Sequence, residues 1–337
     1  MKFVIGFIAL AGLMGMSLTS GELNVSYAAV FRVMMDHLGL PLLPDVPVST
    51  LQDSVIWHYR LPRIMAAALG GSSLALCGVI LQAVLRNPLA EPYVLGLSAG
   101  ASAGAVAVTV IGFSWGWALS AGAFAGALSA FIVVVSLSYH SNSAPYQTLL
   151  AGVAAAQLFN AIAACLMMSS ASAEQVKGLL FWLLGDLSAV RLADIPWLAF
   201  AAIGGFILCQ WLARPLDILM LGERGAFALG IPVIPLRYVL LTLCALLTAL
   251  VVSRMGAVGF VGMVVPHMAR YWIGSQHSRR IPAAMLIGAL FMVGADFVAR
   301  TLISAHSLPI GVVTAIIGAP MFAWLLKSKV FLNAECR

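Results

Sequence analysis

Charged side chains are scarce in this sequence. Asp, Glu, Lys and Arg make up 9% of the 337 residues, whereas an ordinary soluble domain carries about 25%. Apolar residues make up 62%. A domain folded in water needs a polar surface over its apolar core, so this composition excludes a soluble globular protein and predicts a protein embedded in a membrane.

The sequence also lacks a nucleotide-binding loop. In a P-loop, Gly-Lys is followed by Ser or Thr, and the backbone amides hold phosphate. The four lysines, at positions 2, 177, 327 and 329, each follow a residue other than glycine. The chain is therefore not expected to hydrolyse ATP, and any energy from ATP would have to come through a separate ATPase subunit.

Ionisable residues are rare inside the apolar runs as well. Ion-coupled carriers place carboxylates or histidines near the middle of the bilayer. Here Asp296 and Arg300 stand out, and their i, i+4 spacing predicts that they neutralise each other. The lone His267 is expected to bond a neighbouring helix. An ion-coupled secondary transporter is disfavoured and is kept as the alternative from another class.

Patterns for metal, disulfide or nucleic-acid chemistry are missing too. The five cysteines form no C-x-x-C pair, so we expect no disulfide, no bound metal and no cofactor. The net charge of +6 comes from basic residues scattered between apolar runs, with Arg279-Arg280 as the adjacent pair. This scatter indicates membrane topology and no nucleic-acid partner.

Long apolar runs dominate what is present. Because only closed hydrogen-bonding patterns survive in lipid, continuous apolar runs of about 20 residues predict transmembrane helices. The first run follows Lys2 without a signal-peptidase site and is expected to stay as a helix. The sequence predicts an all-α polytopic membrane protein with about ten transmembrane helices, at residues 3–20, 63–85, 93–113, 115–138, 146–169, 192–213, 236–253, 257–273, 282–304 and 308–327.

The distribution of basic residues predicts the orientation. Ten spans put both termini on one side, and the side richer in Lys and Arg is cytoplasmic. Cytoplasmic termini place eleven of the 18 basic residues inside, namely Lys2, Arg86, Arg214, Arg224, Arg237, Arg270, Arg279, Arg280, Lys327, Lys329 and Arg337. Residues 1–337 are expected to form one transmembrane domain.

Residues 214–235 are too short and polar to span, but their pattern is helical. We expect two short cytoplasmic helices with a turn at Gly222, a helix start at Glu223 and a helix end at Gly230. Their apolar positions suffice for one face that seats in a groove on another protein. These positions are Leu216, Leu219, Leu221, Ala226 and Leu229.

Small and polar residues add further expectations. Stretches 67–73, 96–104 and 122–126 are rich in Gly, Ala and Ser, which predicts close helix packing. Gln157 and Asn160 in the fifth span either line a pathway or bond neighbouring helices. Ser98 lies in a G-x-S-x-G pattern, but the expected preceding strand is missing, so an intramembrane hydrolase is disfavoured.

Several ordered motifs resemble the FecCD-type (BtuC-like) permease family, the transmembrane subunits of ABC importers for iron–siderophore, haem and cobalamin. The resemblance covers nearly the whole chain. The motifs are Arg60-Leu61-Pro62-Arg63, Gln82, residues 87–92 from Asn87-Pro88 to Pro92, residues 95–101, the segment from Leu219 to Gly230, Gly259-Phe260-Val261-Gly262, Pro266-His267 with Arg270, Ala295-Asp296, residues 308–314 and Gly318-Ala319-Pro320.

The resemblance implies a type II ABC importer permease in the bacterial inner membrane. It implies a homodimer with the pathway at its axis, two ATPase subunits, a periplasmic binding protein and surrounding membrane lipid. The cargo would be a bulky metal chelate that crosses unmodified, with an iron–siderophore complex favoured and haem or cobalamin as the alternative. The permease itself would not be an enzyme and would have no catalytic residues.

The resemblance also assigns candidate site residues. Residues 216–230, including Gly222, Glu223 and Gly230, would contact the ATPase. Arg60, Arg63 and Arg300 would dock the binding protein. The pathway or gate would include Asn87, Pro88, Ser143, Pro145, Tyr146, Gln157 and Asn160.

Overall fold

The chain folds as a bundle of helices. The structure, a computed structural model, describes residues 1–21, 23–40, 46–113, 116–139, 145–170, 172–302 and 307–327. Its α-helices are α1 (Lys2–Thr19), α2 (Tyr27–His37), α3 (Thr50–Ser54), α4 (Leu61–Val84), α5 (Leu97–Val110), α6 (Trp117–Tyr139), α7 (Pro145–Ser170), α8 (Ala173–Leu183), α9 (Ile195–Trp211), α10 (Ala213–Leu219), α11 (Glu223–Ala228), α12 (Val233–Met255), α13 (Val261–Ile273), α14 (His277–Thr301) and α15 (Ile310–Lys327).

Each of the ten apolar runs corresponds to one long helix of this set. Seven helical segments of the described chain are long and apolar enough to cross a membrane, and Leu97–Val110 and Ile310–Trp324 are shorter apolar helices. The remaining apolar run contains α13, which has 13 residues. A π-helical stretch, Val55–Arg60, joins α3 to α4. The all-α, multi-pass expectation is confirmed.

Two of the expected spans are shorter than their apolar runs. The run at 93–113 begins with a 3₁₀ turn, Pro92–Leu95, and α5 starts only after Gly96, whose φ of 72° is left-handed. The run at 257–273 begins with non-helical backbone that ends at Phe260, with a φ of 69°. Hydropathy does not reveal these backbone breaks, so the apolar runs predicted longer helices.

Helix α4 forms the centre of the bundle. Most of its side chains are buried, from Leu61 to Val84, and it packs against α14, α12, α13 and α9. Gly71 is in such close contact with α14 that a Cβ there would lie 2.3 Å from the Gly288 carbonyl oxygen. The predicted close packing through small residues is confirmed at this helix pair.

Helices α5, α6 and α7 form a second packed group. A Cβ at Gly104 would lie 2.0 Å from the carbonyl oxygen of Gly122 in α6. The outward faces of α6 and α7 carry exposed apolar side chains such as Ile132 and Leu150. Such faces suit lipid or another membrane protein.

The helix ends define two faces of the bundle. On one face, called the Lys2 face, the Lys2 ammonium donates to the Trp272 carbonyl and α14 begins at His277. On the other, called the Arg63 face, Arg63 of α4 meets Asp296 near the end of α14. The amphipathic helix α2 follows α1 on the Arg63 face and buries Ala29, Val30 and Val33. The ends of successive long helices therefore alternate between the two faces, as expected for ten membrane passes.

Candidate functional site

The segment between α9 and α12 forms two short helices, as the sequence predicts. Helix α10 ends at Leu219, Gly222 turns with a φ of 100°, and Glu223 is the first residue of α11. Gly230 follows α11 with a φ of 78°, a conformation that glycine adopts without a steric penalty. Both turns thus need the glycines that the sequence supplies.

The apolar side chains of this segment point in two directions. Leu216, Leu219 and Ala226 are buried inside the chain. They cannot form part of a face offered to another protein, and this corrects the sequence expectation. Helices of seven and six residues are too short for spacing alone to separate an inward face from an outward face.

The exposed apolar face of the segment consists of four side chains. Leu221 and Leu229, both expected from the sequence, are 69% and 60% exposed. Phe227 and Met220, which the sequence reasoning missed, are 79% and 47% exposed. We call Met220, Leu221, Phe227 and Leu229 the exposed apolar cluster of the Lys2 face.

An ion pair ties α11 to the membrane bundle. The Glu223 carboxylate accepts a hydrogen bond of 2.5 Å from Arg237 of α12, whose side chain is 4% exposed. Glu223 is 46% exposed, so one partner stays in contact with solvent. The pair fixes the start of α11 relative to α12.

The three arginines predicted to dock a binding protein lie on the Arg63 face but are largely inside the chain. Arg63 is 1% exposed and donates to Asp296 at 2.5 Å, and Arg300 donates to the same carboxylate at 3.0 Å. Arg60 donates to the carbonyl oxygens of Leu18 and Leu23. The Asp296–Arg300 pairing predicted from spacing is confirmed, while the part played by Arg63 was missed.

This burial changes the docking assignment. Arg63 is 1% exposed and does not line the cavity that Arg60 and Arg300 share, so it offers no surface to another protein and its expected docking role is corrected. Arg60 and Arg300 instead line a cavity of about 220 Å³ together with Tyr59, Val55, Gly21, Leu23 and Ser307. Two guanidinium groups in one cavity give this part of the face a positive potential.

The expected pathway residues fall into two groups. Tyr146, Gln157 and Asn160 are exposed along α7. Pro145 is the first residue of α7, and Ser143 lies outside the described residues. The polar residues Gln157 and Asn160 therefore lie on the outward side of α7 among exposed apolar side chains such as Leu150 and Leu158.

Asn87 and Pro88 lie on the Lys2 face, apart from α7. The Asn87 side chain accepts a hydrogen bond from the Leu89 N–H, and the Pro88 carbonyl lies 2.9 Å from Nε2 of His267. The sequence predicts a bond from His267 to a neighbouring helix, whereas this contact is with the turn between α4 and α5. Asn87 and Pro88 shape the turn between α4 and α5.

The same turn is fixed by contacts with the segment before α13. The Val258 N–H donates to the Tyr93 hydroxyl at 2.6 Å. Burial raises the pKa of the Glu91 carboxyl above its ordinary value, against a smaller opposing effect of a hydrogen bond from the Phe260 backbone. These contacts hold the two backbone breaks side by side.

Ser98 does not form a nucleophile elbow. It lies in the first turn of α5, after a 3₁₀ turn, and its carbonyl accepts the Ser102 hydroxyl. The G-x-S-x-G motif works through a strand-to-helix turn that exposes the serine. The hydrolase alternative therefore lacks its structural basis at this serine.

Comparisons with known proteins identify the class of membrane protein to which this chain belongs. A family model described as the FecCD transport family matches residues 8–328. The chain belongs to the FecCD transport family. The expected class, a multi-pass membrane permease of the ABC importer type, is confirmed.

Several relatives of known name align with this chain over most of their own length. The chain is 40% identical over 276 residues to the vitamin B12 import system permease protein BtuC of Klebsiella pneumoniae, covering 80% of this chain and 82% of the relative. It is 36% identical to the cobalamin import system permease protein BtuC of Halobacterium salinarum, covering 91% and 79%. It is also 34% identical to the molybdate import system permease protein MolB of Haemophilus influenzae, covering 83% and 82%.

A solved structure supports the fold. One described as an inward-facing conformation of a metal-chelate type ABC transporter covers 96% of this chain and 98% of its own, at 30% identity and a TM-score of 0.84. A second, PsaBC from Streptococcus pneumoniae in complex with Fab, has a TM-score of 0.60 at 19% identity and covers 80% of this chain and 92% of its own. The second likeness concerns the fold alone.

Proposed function

We propose that residues 1–337 form the transmembrane permease domain of an ATP-driven importer that moves an intact metal chelate from the periplasm to the cytoplasm. The permease provides the path and performs no chemistry on the cargo. The observation that carries this proposal is the structural match over 96% of the chain to a metal-chelate type ABC transporter, at a TM-score of 0.84. Both termini are then cytoplasmic, and the Lys2 face is the cytoplasmic side of a bacterial inner membrane.

Three chelate classes are the candidate cargoes. The sequence favours iron–siderophore complexes, with haem or cobalamin as the alternative. Cobalamin is the second candidate, because relatives at 36% and 40% identity are named as cobalamin or vitamin B12 permeases. Uptake of radiolabelled cobalamin and of a ferric siderophore into proteoliposomes containing the permease, its ATPase and its binding protein tests both. Transport of neither, with molybdate transported instead, would contradict the chelate proposal.

The pathway lies between two copies of the chain. Gln157 and Asn160 are exposed on a membrane-length helix, and amide groups facing lipid are costly. A second copy covering α7 would remove these groups from lipid and create a polar-lined axis. Gln157→Cys should therefore cross-link to itself in membranes, while Ile203→Cys on the exposed face of α9 should not. The reverse pattern would contradict the dimer axis.

The α10–α11 segment contacts the ATPase subunits. The exposed apolar cluster of the Lys2 face is of the kind that seats in a groove on another protein. The buried Leu216, Leu219 and Ala226, the turns at Gly222 and Gly230, and the Glu223–Arg237 pair hold that cluster in place. Phe227→Asp should release the ATPase or abolish transport. Leu51→Asp, at an exposed apolar position on the opposite face, is the control that should do neither.

The binding protein docks on the Arg63 face. Arg60 and Arg300 supply positive charge in the surface cavity, and acidic side chains of the binding protein would approach it. Interface charges chiefly affect association rate and its salt dependence. Arg60→Glu should slow docking most at low salt, whereas Arg191→Glu, at an exposed arginine of the same face, should change it less. Equal effects of the two variants would contradict this docking site.

A further inference from the structure

The first turn of α14 is the meeting point of the α10–α11 segment and the membrane helices. One carboxylate oxygen of Asp217 in α10 accepts the backbone N–H of His277 at 3.0 Å and lies 2.6 Å from Nδ1 of the same residue. The His277 side chain is 1% exposed, whereas Asp217 is 36% exposed. Asp217 thus caps the start of α14 from a different helix.

The same turn holds three more helices. Gln210 of α9 donates to the Ser278 carbonyl at 2.9 Å. Arg280, itself buried, donates to the Gln82 side chain of α4 at 3.1 Å, and Gln82 donates to the Met263 carbonyl of α13 at 3.1 Å. A displacement of this turn would therefore change its hydrogen bonds with α4 and α9 and, through Gln82, the contact with α13.

Some buried polar atoms at this turn lack hydrogen-bond partners. Within the described residues, five buried side-chain polar atoms have no hydrogen-bond partner, and three of the five lie at this turn and its contacts: Nε2 of His277, Nε of Arg280 and Oε1 of Gln210. Buried polar atoms are normally paired, so unpaired ones require an explanation. Three of them within one turn and its contacts suggest an element with a second hydrogen-bonding arrangement.

Helix α14 connects this turn to the opposite face. Its 25 residues span about 37 Å at 1.5 Å per residue. Near its other end, Asp296 is bound by Arg63 and Arg300, and Arg300 lines the surface cavity. A single continuous helix thus joins the contact with α10 to the face proposed for the binding protein.

We propose that Asp217 and His277 are positioning residues, and that their contact transmits movement of the α10–α11 segment to α14. In the second arrangement of the turn, the spare atoms of His277, Arg280 and Gln210 acquire partners. The inference rests on the proposed function, because it requires that the ATPase moves the α10–α11 segment.

The test uses the whole importer in proteoliposomes and compares cargo transported per ATP hydrolysed. Asp217→Ala and His277→Ala should each lower this ratio at least about fivefold, the lower end of typical coupling between sites. The double variant should be no worse than either single one, because the two residues act as one contact. His277→Asn should retain most of the ratio, since its amide nitrogen can donate in place of Nδ1. Arg279→Ala, at an exposed position in the same turn, is the matched control.

The outcomes separate this inference from the proposed function. An assembled wild-type importer that couples ATP hydrolysis to uptake, together with unchanged ratios in both alanine variants, would overturn the Asp217–His277 proposal alone. A wild-type chain that binds no ATPase would overturn the proposed function. If the alanine variants fail to assemble, Asp217→Asn, which removes the carboxylate charge, should lower the ratio while His277→Asn retains it. An unchanged ratio in Asp217→Asn, or an equal loss of ratio and thermal stability in Arg279→Ala, would count against a specific role.

Discussion

Asp296, Arg63 and Arg300 form a buried cluster of opposite charges. Asp296 is fully buried and lies between the guanidinium groups of Arg63 and Arg300. Sequence spacing predicted the Arg300 contact, because i and i+4 lie on one helix face. It could not predict Arg63, which is 233 positions away and comes into contact only through the packing of α4 against α14.

Removing Arg63 should destabilise the bundle strongly. Breaking a buried ion pair by removing one partner typically costs about 3–5 kcal/mol, so Arg63→Met should lower the free energy of unfolding by about that amount. Arg191→Met, at an exposed position, should change it by less than about 0.5 kcal/mol. Denaturant titration in detergent measures both. Equal midpoints for the two variants would show that Arg63 is not essential to this cluster.

Glu91 should make stability depend on pH. Burial raises the pKa of its carboxyl above the ordinary value of 4.5, so the folded state favours the protonated form. This stability is fully present below pH 4.5 and is lost as the pH rises through the higher folded-state pKa. Glu91→Gln should abolish this loss, so the variant should gain stability relative to the wild type as the pH rises. A difference in melting temperature that is independent of pH would refute the assignment.

At the scale of elements, the sequence predicts where helices lie better than where they break. Ten apolar runs correspond to ten helices, but the starts of α5 and α13 at Leu97 and Val261 depend on backbone angles at Gly96 and Phe260. Pro92 and Gly96 were visible signals of a turn. The inward direction of Leu216, Leu219 and Ala226 was not visible, because it is set by the surrounding helices.

Close contact between α4 and α14 should tolerate no added side chain. A Cβ at Gly71 would overlap the Gly288 carbonyl, and overpacking costs about 1–3 kcal/mol or more. Gly71→Val should therefore lower the thermal midpoint in detergent. Gly12→Val in α1 is the matched control, because a Cβ there meets no atom within 4 Å. Similar melting curves for the two variants would argue against this contact.

At the scale of the whole molecule, the distribution of Lys and Arg predicts the orientation of the chain in the membrane, and the fold is compatible with that orientation. The ten passes place Lys2 and the α10–α11 segment on one face, and α2 on the other. Single cysteines introduced at Asp45 and Arg224 should label from the periplasmic and cytoplasmic sides respectively, as measured with a membrane-impermeant thiol reagent. Labelling of both positions from one side would contradict the topology.

The most direct test of an ATP-driven permease is the energy source of uptake. Proteoliposomes containing the full importer are loaded with ATP or left without it, and uptake of cobalamin and of a ferric siderophore is followed with and without ionophores that collapse ion gradients. We predict uptake that requires ATP and persists when the gradients are collapsed, because the chain provides few ionisable groups for ion coupling. Uptake driven by an imposed proton or sodium gradient in the absence of ATP would contradict the account.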